Sequence, residues 1–377
     1  MSHQALAIRA SVGLGALAGI ALSLPLWQTR VSYPNIPVFD FILSFPKPLD
    51  SAFLLAFAVS LAMIVWRPQS PRIAIFCFGI AVLLTMQDQS RLQPWFVVYM
   101  LLLLGLVLSG NQQLGLLNCR LIVAALYSWS GVHKMNSSFI DRLFPVFVSP
   151  VSTPGLAIPF HVLAILVPYL EMGIGLLLLF PRSRRVGVVG GVVMHLLILV
   201  ALGPWALAWN SVVWPWNLTM LVLVPLLFWR SQVTASTVLT PRGGAVRALL
   251  FVFVVVLPPL SLVGLWDTYL AFDLYSGNPL IGSVIFTPEA WGRLDAKTQV
   301  LAEESKGLYM LRIDDWSQAS TNAPAYPAER ALRRVAQSLC KVHEKDDDIV
   351  FLMEKPARWF YRPGWHTTES ATGLCSR

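Results

Sequence analysis

Up to Trp266 the chain is a succession of long apolar runs separated by short polar turns, and beyond it the pattern shifts to brief segments rich in β-branched and aromatic residues. Nine apolar stretches fall at about 10–27, 51–66, 72–87, 95–109, 115–134, 157–180, 186–204, 207–229 and 245–266. A helix needs about 20 mostly apolar residues to cross the hydrocarbon of a bilayer. The pattern therefore predicts an all-α polytopic membrane bundle of about nine spans over residues 1–266. The second, third and fourth stretches are short, so their ends are the least defined. "LSLPLWQTR" after the first stretch lacks a small-residue cleavage site, which makes that stretch a retained span.

Composition agrees with this class: 56% hydrophobic and 13% charged residues in 377, with mean hydropathy +0.63, are too apolar for an ordinary soluble domain. Charge then orients the bundle, because arginine and lysine favour cytoplasmic loops. Arg67 and Arg72, then Arg120, then Arg182, Arg184 and Arg185, and then Arg230, Arg242 and Arg247 occupy alternate loops. The intervening loops hold Arg30 with Lys47, Arg91, and Lys134 with Arg142, mixed with Asp40, Asp50, Asp88 and Asp141. The amino terminus is expected inside and the tail outside, in a bacterial inner membrane. The net charge of +8 is thus a topology signature and gives no nucleic-acid footprint.

Residues 267–377 read as a small α/β extracytoplasmic domain. "LIGSVIFTP", "GLYMLRI" and "DIVFLME" predict three strands. "PAERALRRVAQSLCKVHEK" predicts an amphipathic helix over them, with Leu332, Val335, Ala336, Leu339, Cys340 and Val342 on one face. An outside location permits a Cys340–Cys375 bridge, whereas Cys77 and Cys119 in the spans read as small buried hydrophobes. His343 and His366 read as solvated rather than ligating, and no metal site is predicted.

Polar groups inside spans carry the candidate chemistry, since an ionisable residue in hydrocarbon is costly. Glu171 is the only acid in the core of a span, and His195 lies at a similar depth of about 15 Å on the next helix, so the two could touch as a proton relay. A fixed packing pair is the plainer reading. Gly187, Gly191 and His195 share a face of small residues that admits a close neighbour. Tyr127, Ser130 and Lys134 line one face of the fifth stretch, while His133 points about 100° away. Lys134 is either a snorkelling anchor or, in a partly dry pocket, a base. Asp88 and Arg91, at i and i+3 near Trp95, are expected to pair, and His161 sits near an outer helix end. The candidate catalytic residues are therefore Lys134, Glu171 and His195, with Tyr127, Ser130, Asp88 and Arg91 as candidates for holding a cofactor or substrate.

"YSWSGVHKMNSSF" and "LEMGIGLLLLFPRSRRVGVVGGVVMHLLILV" resemble the HTTM region of vitamin K-dependent γ-glutamyl carboxylases, and more loosely DoxX/MauE-type membrane proteins, over about Gln87 to Leu202. The carboxylase resemblance implies Lys134 as a base toward a reduced quinone and a role for His195. It departs where the first of two paired lysines is His133, where Asp88 to Arg91 replaces an expected histidine, and where the tail is only about a hundred residues. Two functions follow: an enzyme using a quinone or other lipidic redox substrate, or a non-catalytic membrane partner whose tail helps mature a periplasmic protein. The sequence names no cofactor; membrane lipid is the expected surrounding, and nucleic acid is excluded as a partner.

Overall fold

The computed structural model describes residues 3–30, 32–39, 41–42, 45–66, 70–152, 157–340, 348–356 and 364–375. Asp40, Arg67, Val342 and His343, singled out above, lie outside these residues. Each apolar stretch is helical: α1 His3–Leu22, α2 Lys47–Trp66, α3 Pro71–Gln87, α4 Pro94–Val107, α5 Gln112–His133, α6 Ala157–Leu179, α7 Arg184–Leu202, α8 Val213–Phe228 and α9 Ala245–Ser261. Among the described residues five of them, α1, α2, α5, α6 and α7, are long and apolar enough to cross a membrane; α3, α4, α8 and α9 are shorter.

Helix starts follow the local chemistry. Pro71 and Pro94 open α3 and α4, where a missing N–H costs nothing. The Asn111 side chain accepts from Leu114 N and caps α5.

Small residues set how closely the helices pack. A Cβ on Gly131 of α5 would lie 2.4 Å from Met172 N and 2.6 Å from Pro168 O. One on Gly175 of α6 would lie 2.7 Å from Ala124 O. The α5 and α6 backbones therefore run antiparallel at a distance that only glycine permits. Gly187 of α7 meets Leu178 N of α6 at 3.0 Å in the same way. The small-residue face predicted on α7 is thus a packing face.

The tail folds as an antiparallel five-stranded sheet in the order β2-β3-β1-β4-β5. The strands are β1 Ile281–Phe286, β2 Glu303–Ser305, β3 Leu308–Arg312, β4 Ile349–Lys355 and β5 Trp365–Ser370. β1, β3 and β4 are the three predicted strands; β2 and β5 are edge strands with polar, exposed sequences. Val284 pairs in register with Leu311 on one side and Phe351 on the other, and all three are buried. Two helices, α10 Ile313–Thr321 and α11 Glu329–Gln337, contribute Trp316, Leu332 and Val335 to this core. Cys340 and Cys375 form a disulfide.

This core is shared with the bundle. Tyr33 and Ile36, from the connection between α1 and α2, are buried in it, with the Tyr33 ring edge-on to Trp316 at 5.1 Å. Asn322 Nδ2 donates to Leu22 O, Gln93 Nε2 to Pro324 O and Arg330 Nε to Gln89 Oε1. The tail thus sits on the end of the bundle where α1 finishes and α4 begins.

Candidate functional site

α5 ends at Lys134, and one asparagine fixes how it ends. Asn136 Nδ2 donates to His133 O at 2.8 Å, its Oδ1 accepts from Phe139 N at 2.9 Å, and Nδ2 also donates to Ser276 O of the tail linker at 3.0 Å. A single amide closes α5, starts the following turn and ties both to the connection below the sheet. Lys134 is therefore anchored, and it is 7% exposed.

Its ammonium does not reach for water. Lys134 Nζ donates to Ser130 Oγ at 2.7 Å and lies 2.9 Å from Glu171 Oε2. The glycine contacts of Gly131 and Gly175 flank this pair and set its spacing, because they hold α5 and α6 at close approach on the same face. Pro168, one turn before Glu171, cannot donate to the carbonyl of Ala164.

A second array begins two helical turns before Lys134 on the same face of α5. The Tyr127 hydroxyl is 2.7 Å from His195 Nε2, and His195 Nδ1 is 2.7 Å from Asn217 Oδ1. Asn217 Nδ2 donates to Val213 O at 2.8 Å, so its Oδ1 faces the histidine as acceptor. That orientation puts the proton on Nδ1 and leaves Nε2 to accept from Tyr127. A neutral imidazole satisfies every member; an imidazolium would require the tyrosine hydroxyl to turn around. The hydroxyl fits because α7 carries Gly191 there, where a Cβ would stand 3.1 Å from it. Tyr127 and Ser130 stand about one turn apart on α5, which brings the two arrays into one buried seam between α5, α6, α7 and α8.

Two expected pairings are corrected. Glu171 and His195 do not form a pair: Glu171 takes Lys134, and both ring nitrogens of His195 are engaged by Tyr127 and Asn217. Asp88 and Arg91 do not pair either. Asp88 caps the turn Gln89–Arg91 through Ser90 N, receives Ile36 N at 3.2 Å and forms an ion pair with Arg30. Arg91 pairs with Asp50 at 3.2 Å and donates to Leu26 O and Leu84 O, each at 3.0 Å. These four charges form a buried clasp that fastens the α1–α2 connection to α2, α3 and α4.

His133 is turned away from Lys134 as its angular offset implies, with Nε2 3.1 Å from Ala271 O and 3.4 Å from Ser261 Oγ. His161 and His366 are exposed. Among the described residues no three His, Cys, Asp or Glu side chains converge as metal ligands. Asn136 and Asn217 were missed from sequence. Asn217 had a usable signal, as the lone amide inside the apolar run "VVWPWNLTMLVLV".

The seam can store and move protons, because it places a lysine beside a carboxylate and a phenol beside an imidazole.

Residues 112–212 match the sequence model of the family described as methylamine utilisation protein MauE. That segment spans α5, α6 and α7 and contains Tyr127, Ser130, Lys134, Glu171 and His195; Asn217, the Asp88 clasp and the whole tail lie outside it. No curated protein and no solved structure matches the chain. The chain is an integral membrane protein, similar over that segment to MauE.

Proposed function

We propose that this protein is a DoxX/MauE-like membrane partner that assists a redox reaction or the maturation of another protein at the outer face of a bacterial inner membrane. What supports the reading most is that the segment similar to MauE also supplies every member of the buried seam except Asn217. In this reading nine spans leave the amino terminus inside and the disulfide-bonded tail outside, presented to a periplasmic partner. A reporter fused after Arg377 is then active only outside, and a cytoplasmic signal sinks this topology.

A second reading is favoured by the buried Lys134–Glu171 pair: a site for a quinone or other lipidic redox substrate of the HTTM and carboxylase type, with Lys134 as base once its proton has passed to Glu171. Tyr127, Ser130, Asp88 and Arg91 would then hold the substrate or keep its pocket in shape, and His195 would relay protons through Tyr127. Complementation of a deletion strain separates the two. If the protein is a partner, removal of residues 267–377 abolishes function while Lys134→Arg retains it, because a positive charge suffices to hold Glu171. If it is a quinone enzyme, Lys134→Arg is inactive although folded, since a guanidinium does not give up its proton.

A further inference from the structure

Irregular backbone usually lies at the surface, where water meets its polar groups. Residues 271–278, in the connection from the bundle to β1, do not: Ala271, Phe272, Asp273, Ser276 and Asn278 are all buried. The stretch lies across the end of α5 that carries Lys134. Ala271 O faces His133 Nε2 at 3.1 Å, and Ser276 O accepts from Asn136 Nδ2 at 3.0 Å, so it is fastened on both sides of Lys134. Gly277 rests on the turn that follows, where a Cβ would stand 3.0 Å from Phe139 N and Ser138 O.

Its backbone is strained. Phe272 and Tyr275 are left-handed, at φ 63° and 50°, a region that costs any residue with a side chain and that glycine enters freely. The loop it meets between α7 and α8 has the same character, with Ala208 at φ 47° and Asn210 at 48°. Such conformations persist only where the surroundings fix them. Two pins do so. The Phe272 ring is fully buried in the core of the bundle. The Tyr275 ring packs against Phe147 and Trp209, with centroids at 5.7 and 6.0 Å, and its hydroxyl accepts from Asn210 Nδ2 at 2.7 Å. The tail holds the stretch from both ends: Arg330 and Tyr326 bind Asp267 just before it, and Lys355 Nζ donates to Asn278 O at 2.8 Å.

We propose that residues 271–278 are a strained strap that keeps Lys134 closed off from water, and that the strap opens when its pin at Tyr275 is withdrawn. Without the pin the backbone leaves the left-handed region, and Ser276 O leaves Asn136. The Asn136 amide closes α5 at His133 and starts the next turn at Phe139, so the helix end loosens and the Lys134 ammonium becomes reachable. A partner that moves the tail draws the strap with it, because the tail holds both ends. The device goes beyond either functional reading: it controls access to Lys134 and not what Lys134 does.

The test uses the full chain in neutral detergent, with a water-soluble amine-acylating reagent and peptide mass spectrometry to follow Lys134; the exposed Lys297 is the reference. In the wild type Lys134 is expected to acylate far more slowly than Lys297. Tyr275→Ala, which removes the pin and keeps the strain, is expected to raise the Lys134 rate. Tyr275→Gly, which removes both, is expected to react about fivefold more slowly than Tyr275→Ala, the difference a left-handed alanine makes. If the melting curve shows that Tyr275→Ala does not fold, Tyr275→Phe, which loses only the bond from Asn210, is expected to raise the Lys134 rate by less, at an unchanged Lys297 rate. A Lys134 rate equal to wild type in the variants that fold, or equal rates with alanine and glycine, overturns the proposal.

Discussion

Lys134 Nζ and Glu171 Oε2 lie 2.9 Å apart on neighbouring helices, and both side chains are more than nine-tenths buried. A lysine at a helix end could have snorkelled into water at little cost to the fold; this one has exchanged water for a carboxylate. Removing one partner of a buried pair strands the other charge, a loss of about 3–5 kcal/mol. Lys134→Met and Glu171→Leu are each expected to lower Tm markedly, and the double variant to recover most of the loss. A double-mutant cycle by thermal unfolding in detergent checks this, and additive losses would mean that the two charges do not depend on each other.

The spacing of that pair depends on Gly131. In Gly131→Ala the new methyl meets backbone atoms of Met172 and Pro168, which cannot rotate aside, so α5 and α6 must separate. A loss of about 1–3 kcal/mol is expected, as for overpacked cores. Gly191→Ala meets only side-chain atoms, the Tyr127 hydroxyl at 3.1 Å and Val224 Cγ1 at 3.5 Å, and should cost less. The comparison is a pair of melting curves, and an equal loss in both would remove the backbone argument.

Asp267 closes a latch between the bundle and the tail, holding Arg330 and accepting from the Tyr326 hydroxyl at 2.6 Å. Burial pushes its carboxyl up, but hydrogen bonds from Arg330 and Tyr326 and the charge of Arg330 outweigh this, so it titrates below its usual range. A lowered folded pKa gives stability that is present above the unfolded value, about 3.9, and is lost as pH falls through the folded value. Asp314 has the opposite sign, because burial pushes its carboxyl up. Limited proteolysis between pH 5 and 3 should show the connection around Asp267 opening in the wild type. Asp267→Asn should be open already at pH 5; protection equal to wild type there would dismiss the latch.

Cys340 and Cys375 close a loop with a sequence separation of 35. By chain entropy such a bridge is worth about 4 kcal/mol. Both thiols should resist alkylation until reductant is added, and the reduced tail should unfold at lower temperature. Labelling of both without reductant would rule the bridge out.

The apolar runs were legible because hydrophobicity is a one-dimensional signal, and all nine appear as helices. Lys134, Glu171, His195 and Tyr127 were legible as polar groups in hydrocarbon. Their partners were not. Counting residues from the turn at Arg182 put Glu171 and His195 at one depth, yet rotation about each helix axis decides contact, and that rotation is set by the Gly131 and Gly175 approaches. Asp88 and Arg91 misled for a related reason. Their i, i+3 spacing suggested a local pair, whereas Arg30 and Asp50 arrive from segments 58 and 41 residues away. β2 and β5 carried no alternation because edge strands bury little.

The seat of the tail on the bundle bears on how the protein is made. Asn322 caps Leu22 across 300 residues, and Gln93 reaches Pro324 across 231. The Leu22 carbonyl at the end of α1 and the Gln93 amide before α4 therefore wait unclaimed until the tail, more than two hundred residues later, has been synthesised. Closure of this end of the bundle follows synthesis of the tail, and a chain stopped before Asn322 leaves the end of α1 unfinished.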